Sequence, residues 1–139
     1  MLWVKFFSFK FYEKVLLLNT VNRRIFVIEI YHNTGRVTFT YDSLMSTTDK
    51  EVLTIGDWTH ISVSKSGSKH SLFINSNEIS SLTISNVDHQ IEANMFLGGT
   101  ENEVSNQIMD EIKIFNRALS IDEIKLEMDI GQPFDVEVY

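Results

Sequence analysis

From Arg36 to Tyr41 polar and apolar side chains alternate without a break: Val37, Phe39 and Tyr41 fall on one side, and Arg36, Thr38 and Thr40 fall on the other. An extended backbone sends successive side chains to opposite faces, so the run predicts a strand with one apolar face and one wet face. The same period returns along the chain. Thr59, Ile61 and Val63 alternate with His60, Ser62 and Ser64, and short apolar runs recur at Ile25 to Ile30, Leu72 to Ile74, Leu82 to Ile84 and Met95 to Leu97. Ile108 to Phe115 reads as the last core strand. Polar turns separate the runs, at Asn33-Thr34-Gly35, Ser66-Gly67-Ser68, Asn75-Ser76-Asn77 and Gly98-Gly99. Short strands joined by short turns cannot bury their apolar faces singly. They predict an all-β fold, an antiparallel β-sandwich or barrel, as one domain over residues 1–139 without internal repeats.

One segment departs from this period. Ser120-Ile121-Asp122-Glu123 matches a capping box, in which the Ser hydroxyl takes an orphan backbone N–H and the Glu carboxylate reaches back to the cap N–H. Ile121, Ile124 and Met128 recur at helical spacing, and Gly131 and Pro133 are stop signals. The spacing predicts a short C-terminal helix over residues 121–128, covering an end or edge of the sandwich, followed by a tail over 129–139.

Charge narrows the partners. There are 19 acidic and 12 basic side chains, a net charge of −7. Nucleic acid and anionic lipid both call for a basic footprint, so neither is expected as a partner. The chain has no Cys, which removes disulfides and thiolate metal or redox sites. Lys5, Lys10, Glu13 and Lys14 interrupt the apolar N-terminal stretch, so no signal peptide and no membrane insertion are expected.

Three stretches, in order, carry a family resemblance. Gly56-Asp57-Trp58-Thr59-His60-Ile61-Ser62-Val63 resembles the G-x-W-x-H-[IV]-[AS]-V strand of laminin G-like and pentraxin-like domains. Ser71-Leu72-Phe73-Ile74-Asn75 resembles the strand that follows it. Phe96-Leu97-Gly98-Gly99, then Met109-Asp110-Glu111-Ile112-Lys113-Ile114-Phe115-Asn116-Arg117-Ala118-Leu119-Ser120, resembles the L-G-G strand and the I-D-E-[VI]-[RK]-[IV]-[YF]-N-R-A-L-S ending. The resemblance covers about Leu2 to Met128 and implies the jelly roll of the concanavalin A-like lectin/glucanase superfamily. Where the family has Gly after the turn Asp or Asn, this chain has Ser76. Leu2-Trp3-Val4-Lys5 resembles a strand lying well inside a full family domain. One or more N-terminal strands are therefore expected to be missing, leaving an open sheet edge available for pairing with another chain.

The resemblance implies recognition: a non-catalytic module that binds carbohydrate as a lectin does, or an extracellular protein surface as in cell adhesion. The expected place is outside the cell or at its surface, within a longer parent chain. Two alternatives stand beside it, a structural or assembly module without its own ligand and an accessory domain of a glycoside hydrolase. Concanavalin A-like glycosidases carry carboxylates in an E-x-D-x-x-E arrangement, and no such string occurs here. Asp110 and Glu111 are adjacent, so on a strand they point apart. Loss of a β-glucan hydrolysis on replacing Glu111 would be the mark of the hydrolase alternative.

By strand parity Asp110 shares a row with Ile108, Ile112 and Ile114, a core-facing row on which a carboxylate needs compensation. One reading is a structural hydrogen bond to loop amides or to Arg117. The other, implied by relatives that bind calcium, is a Ca²⁺ ligand helped by Glu101, Asn102, Glu103 and Asn106. Trp58 is a sugar-stacking platform or a packing anchor in the core, the latter preferred. His60 has no second His at ligand spacing, with His32, His70 and His89 elsewhere, and reads as a satisfied structural histidine. Tyr31, His32, Asn33 and Tyr41 form a polar-aromatic group near one hairpin, a candidate ligand surface or ordinary surface composition.

Overall fold

The computed structural model describes residues 1–10, 13–20, 23–84, 94–99 and 105–134, with backbone alone for 17–20 and 23–24. Among the described residues ten strands and one helix follow in chain order: β1 Leu2–Phe6, β2 Lys14–Thr20, β3 Arg23–Ile30, β4 Val37–Tyr41, β5 Leu44–Thr47, β6 Trp58–Ser66, β7 Lys69–Ile74, β8 Asn77–Thr83, β9 Asn94–Leu97, β10 Gln107–Asp110 and α1 Ile121–Ile130. They form two five-stranded antiparallel sheets, ordered β10-β1-β6-β7-β8 and β5-β4-β3-β2-β9. Of the sandwich and barrel that the alternation predicts this is the sandwich, and it is consistent with the jelly roll that the resemblance implies.

Pairing in register aligns the apolar rows. Leu2 lies opposite Ile61, and Ile61 opposite Ile74. Across the sandwich, Ile28 lies opposite Phe39 and Ile30 opposite Val37. These residues, with Val4, Phe6, Val15, Phe26 and Leu72, form one buried apolar cluster. Burying each side chain of this size contributes roughly 1.5–3 kcal/mol of transfer free energy.

The wet faces are drier than the alternation suggests. Thr38 is fully buried, and its hydroxyl shares a 3.0 Å hydrogen bond with that of Thr47. His60 and Ser62, on the outward row of β6, are also buried. Lys113, a cation close enough to act on His60, is bonded to Glu127 of α1. The helix and the segment leading to it therefore lie near that face.

The helix begins as predicted. Glu123 N–H donates to the Ser120 hydroxyl, the Ser120 N–H donates to the Glu123 carboxylate, and Arg117 grips the same carboxylate at 2.6 and 3.0 Å. Its end differs: the helix runs to Ile130, so Asp129 and Ile130 belong to it and not to a tail.

The last predicted core strand is also corrected. β10 stops at Asp110, because Glu111 takes φ +48° and inserts a bulge. The register that sets Trp3 opposite Asp110 would bring Met1 to Ile112. Instead Met1 and Lys113 exchange two backbone hydrogen bonds of 2.9 Å. Past the bulge, Ile112, Ile114 and Phe115 are exposed.

The β7–β8 hairpin turns on Asn75 and Ser76, at φ +47° and +63°. Two left-handed central residues make a type I′ turn, which favours Asn-Gly. Asn75 fits, and its carboxamide oxygen accepts the His60 N–H at 2.9 Å. Ser76 carries a Cβ in a conformation that costs an L-residue about 1–2 kcal/mol. Part of that cost returns on removing the side chain, less the entropy glycine adds to the unfolded chain. Ser76→Gly is therefore expected to raise the thermal midpoint by about 2–4 °C. A lower midpoint by calorimetry would mean that Ser76 is not strained.

Candidate functional site

The β3–β4 hairpin carries a compact aromatic group at its tip. The turn is tied at its base by Tyr31 N–H donating to the Arg36 carbonyl and by Thr34 N–H donating to the Tyr31 carbonyl, both at 3.0 Å. His32 and Asn33 take φ +49° and +60°, conformations Asn and His adopt more readily than bulky residues. Gly35 locks the hairpin onto the neighbouring loop. Its carbonyl accepts from Val52 and Leu53, and a Cβ there would meet the Leu53 carbonyl oxygen at 2.3 Å.

On this base the Tyr31 and His32 rings stack at 4.1 Å with planes 20° apart. The Arg36 guanidinium lies 4.9 Å from the Tyr31 ring centre and is held from behind by its Nε–H donating to the Thr48 carbonyl. Asn33 is exposed beside them. The tip thus offers ring surface for an apolar face, a fixed guanidinium and an amide that both donates and accepts. Such a ledge suits a planar or ring-shaped ligand rich in hydroxyl groups.

Tyr41 does not belong to this group. It stands at the far end of β4, with its ring 4.3 Å from that of His70 on the facing sheet. In sequence Tyr41 follows Tyr31 closely, across one short turn and the length of β4. An antiparallel hairpin, however, carries its two outer ends away from its tip.

Asp110 is corrected as to face. Met109 opposes Val4 and packs against the core, while Asp110 opposes Trp3 and is exposed, as is Ile108. Pairing with β1 decides the parity, and it assigns the isoleucine row outward. One Asp110 oxygen accepts the Glu111 N–H at 2.8 Å, while Arg117 is committed to Glu123. Of the companions considered for Ca²⁺, Glu101, Asn102 and Glu103 lie outside the described residues. The Asn106 amide N–H donates to Glu13, and its side-chain NH₂ donates to Ser8. Among the described residues no group of three or more His, Asp or Glu converges.

Trp58 is half-buried on the outward row and opposes Lys5, whose ammonium lies 5.6 Å from its ring centre. It packs as a cover and not in the inter-sheet core. His60 is buried against the edge of Trp3, ring centres 5.3 Å apart, and its Nδ1 has no hydrogen-bond partner. It is structural but not satisfied. Burial pushes its pKa down to about 4, and the Met1 ammonium and Lys113 push in the same direction. His89 lies outside the described residues.

A family model described as the concanavalin A-like lectin/glucanases superfamily matches residues 1–125. A search of curated proteins found no match. The fold resembles a native heptameric SAP-like pentraxin from Limulus polyphemus, with TM-score 0.65 and 16% identity, covering 89% of this chain and 65% of that one. It also resembles the binding domain of Paraclostridial Mosquitocidal Protein 1, with TM-score 0.60 and 18% identity, covering 90% of this chain and 35% of that one. This chain therefore spans less than two thirds of either structure. Among the described residues no helix is long and apolar enough to cross a membrane.

Proposed function

The chain belongs to the concanavalin A-like lectin/glucanase superfamily, and on that premise we propose that it is a non-catalytic recognition module that binds glycans through the tip of the β3–β4 hairpin. The observation that carries this reading is the Tyr31–His32 stack with Arg36 fixed beside it. An aromatic face packs against the C–H side of a sugar ring, while the guanidinium and Asn33 meet hydroxyl groups. Because the hairpin is already ordered by backbone bonds and by Gly35, little ordering entropy opposes binding. The module works within a larger extracellular or cell-surface protein, the setting common to laminin G-like and pentraxin-like domains.

Absence of catalysis is part of the proposal. One oxygen of Asp110 is engaged by its neighbour's N–H, and Glu111 is paired with Lys113 at 3.2 Å. A retaining or inverting glycosidase needs two carboxyl groups aimed at one bond from opposite sides. These two adjoin along a bulged backbone.

A glycan array followed by calorimetric titration of its strongest ligand tests the reading. Tyr31→Ala is expected to weaken that ligand at least tenfold while leaving the thermal midpoint within a degree or two. Binding that survives Tyr31→Ala would remove the hairpin tip from the site. An array with no binder at all would leave a module that assembles without a sugar ligand.

A further inference from the structure

We infer that the sugar held at the β3–β4 tip carries a single carboxylate, which docks on the Arg36 guanidinium: the ligand is a glycan bearing isolated hexuronate residues, and not a neutral or a sulfated one. The inference rests on the hairpin tip being the glycan site and names what that site selects. Arg36 is held at several points. Its backbone N–H donates to the Thr34 hydroxyl at 3.2 Å, and its carbonyl accepts the Tyr31 N–H at 3.0 Å. Its Nε–H donates to the Thr48 carbonyl at 2.6 Å, and the Tyr31 ring centre lies 4.9 Å from the guanidinium carbon. A guanidinium has five N–H donors. The Nε–H is used, and among the described residues no acceptor meets the four on the terminal nitrogens. No carboxylate of the described residues lies within ion-pair distance either, whereas the Arg117 guanidinium is closed by both oxygens of Glu123. Acidic side chains outnumber basic ones by 19 to 12, so Arg36 does not lack a carboxylate for want of acids in the chain.

What is unmet identifies the group that meets it. Two terminal nitrogens in one plane, fixed in direction by Thr48 and Tyr31, match the two oxygens of a carboxylate in a forked pair. Sugar hydroxyls also accept from a guanidinium, but a charged acceptor makes each bond roughly twice as strong. Because the guanidinium is already held, docking orders little that was free. A hexuronate carries its carboxylate directly on the ring, at the position where a neutral hexose has a hydroxymethyl group. With the anion on Arg36, the ring comes beside the Tyr31–His32 stack and its hydroxyls come within reach of Asn33. The Asn33 carboxamide is exposed and makes no hydrogen bond among the described residues.

The surroundings limit the charge to one. Asp49 and Glu51 follow Thr48 directly and are exposed, with Lys50 between them. Glu51 lies against the residue before Arg36: a Cβ on Gly35 would stand 3.3 Å from the Glu51 Cβ. One carboxylate on the guanidinium is neutralised where it docks. Sulfates on the same or adjoining sugars would bring further negative charge towards Asp49 and Glu51, in a chain whose net charge is −7. The tip therefore favours one acidic sugar among neutral neighbours over a densely charged polyanion.

The test titrates the whole chain calorimetrically with disaccharides in which glucuronate, galacturonate or mannuronate is joined to a neutral hexose, each beside its carboxyl-reduced form. The two members of a pair differ only in carboxylate against hydroxymethyl. At least one acidic disaccharide is expected to bind about tenfold or more tightly than its reduced form. Arg36→Gln is expected to bring that ratio to about one, and Arg36→Lys, which keeps the charge without the fork, to leave it well below the parent value. Tyr31→Ala is expected to weaken both members. The inference is overturned if no acidic disaccharide binds at millimolar concentration, if a reduced form binds as tightly as its acidic partner, if the ratio survives Arg36→Gln, or if an O-sulfated acidic disaccharide binds more tightly than the unsulfated one. Equal binding within a pair that Tyr31→Ala still weakens would leave the hairpin tip as the glycan site and remove only the carboxylate. Acidic binding lost in Arg36→Gln but kept in Tyr31→Ala would do the reverse, leaving the carboxylate on Arg36 and removing the aromatic stack.

Discussion

Phe39→Ala is expected to lower the unfolding free energy by about 3–5 kcal/mol, the range for deleting a fully buried aromatic ring. Phe39 is 0% exposed, in the middle of β4, with Ile28 on one side and Ser46 on the other. Its ring meets Phe26 edge-to-face at 5.4 Å and 69°, so the loss includes an aromatic pair as well as transferred area. The surroundings cannot collapse easily onto the hole. Phe26 and Ile28 sit on β3 and Ser46 on β5, whose ladders with β4 fix their spacing. A domain this size has about 5–15 kcal/mol to lose, so the variant is expected to be marginal at 37 °C. The check is urea unfolding, in which the midpoint falls with the slope unchanged, and Thr40→Ala in the same strand is expected to cost under about 1 kcal/mol. A loss below about 1 kcal/mol for Phe39→Ala would mean that the two sheets do not enclose it.

How far such a structure is legible from residues depends on the range of the information. Val37, Phe39, Ile61 and Leu72 were readable as core because parity within one strand is local, and each run is bounded by its own turn. The cap on α1 was readable for the same reason: Ser120 and Glu123 are three residues apart. Asp110 was placed on the wrong face because its parity is set across the sheet. The pairing of Met109 with Val4 turns the more apolar isoleucine row outward, and the Glu111 bulge then cuts the strand short. Thr38 reads as wet from its own strand, in which nothing announces the Thr47 hydroxyl that lets it be buried. The hairpin tip lies between these cases. Tyr31, His32 and Asn33 are visible as a group, but the part of Arg36 is not, because its position depends on Thr48, just past β5, holding it. Closeness in sequence groups Tyr41 with them, and only the cross-strand pairing with Phe26 sets it at the other end of the hairpin.

Acidification is expected to destabilise the chain mainly through His60. Its side chain is 2% exposed, packed on Trp3, with Nδ1 unpartnered, and a charge there would sit in a dry site beside the Met1 ammonium and Lys113. Its pKa accordingly falls from 6.5 to about 4 on folding. Between those values the unfolded chain binds a proton that the folded chain does not. Stability from this group is therefore complete above pH 6.5, declines as pH falls towards 4, and changes no further below it. At 1.36 kcal/mol per unit, the window accounts for about 3 kcal/mol. His60→Phe keeps a ring against Trp3 and removes the titration. Thermal midpoints measured from pH 7.5 to 4 should fall steeply in the parent chain and much less in the variant. His70, whose pKa burial also lowers, supplies part of the slope that remains. Parallel pH profiles for the two chains would show that His60 stays protonatable in the folded state, and that the outward face of β6 is wet after all.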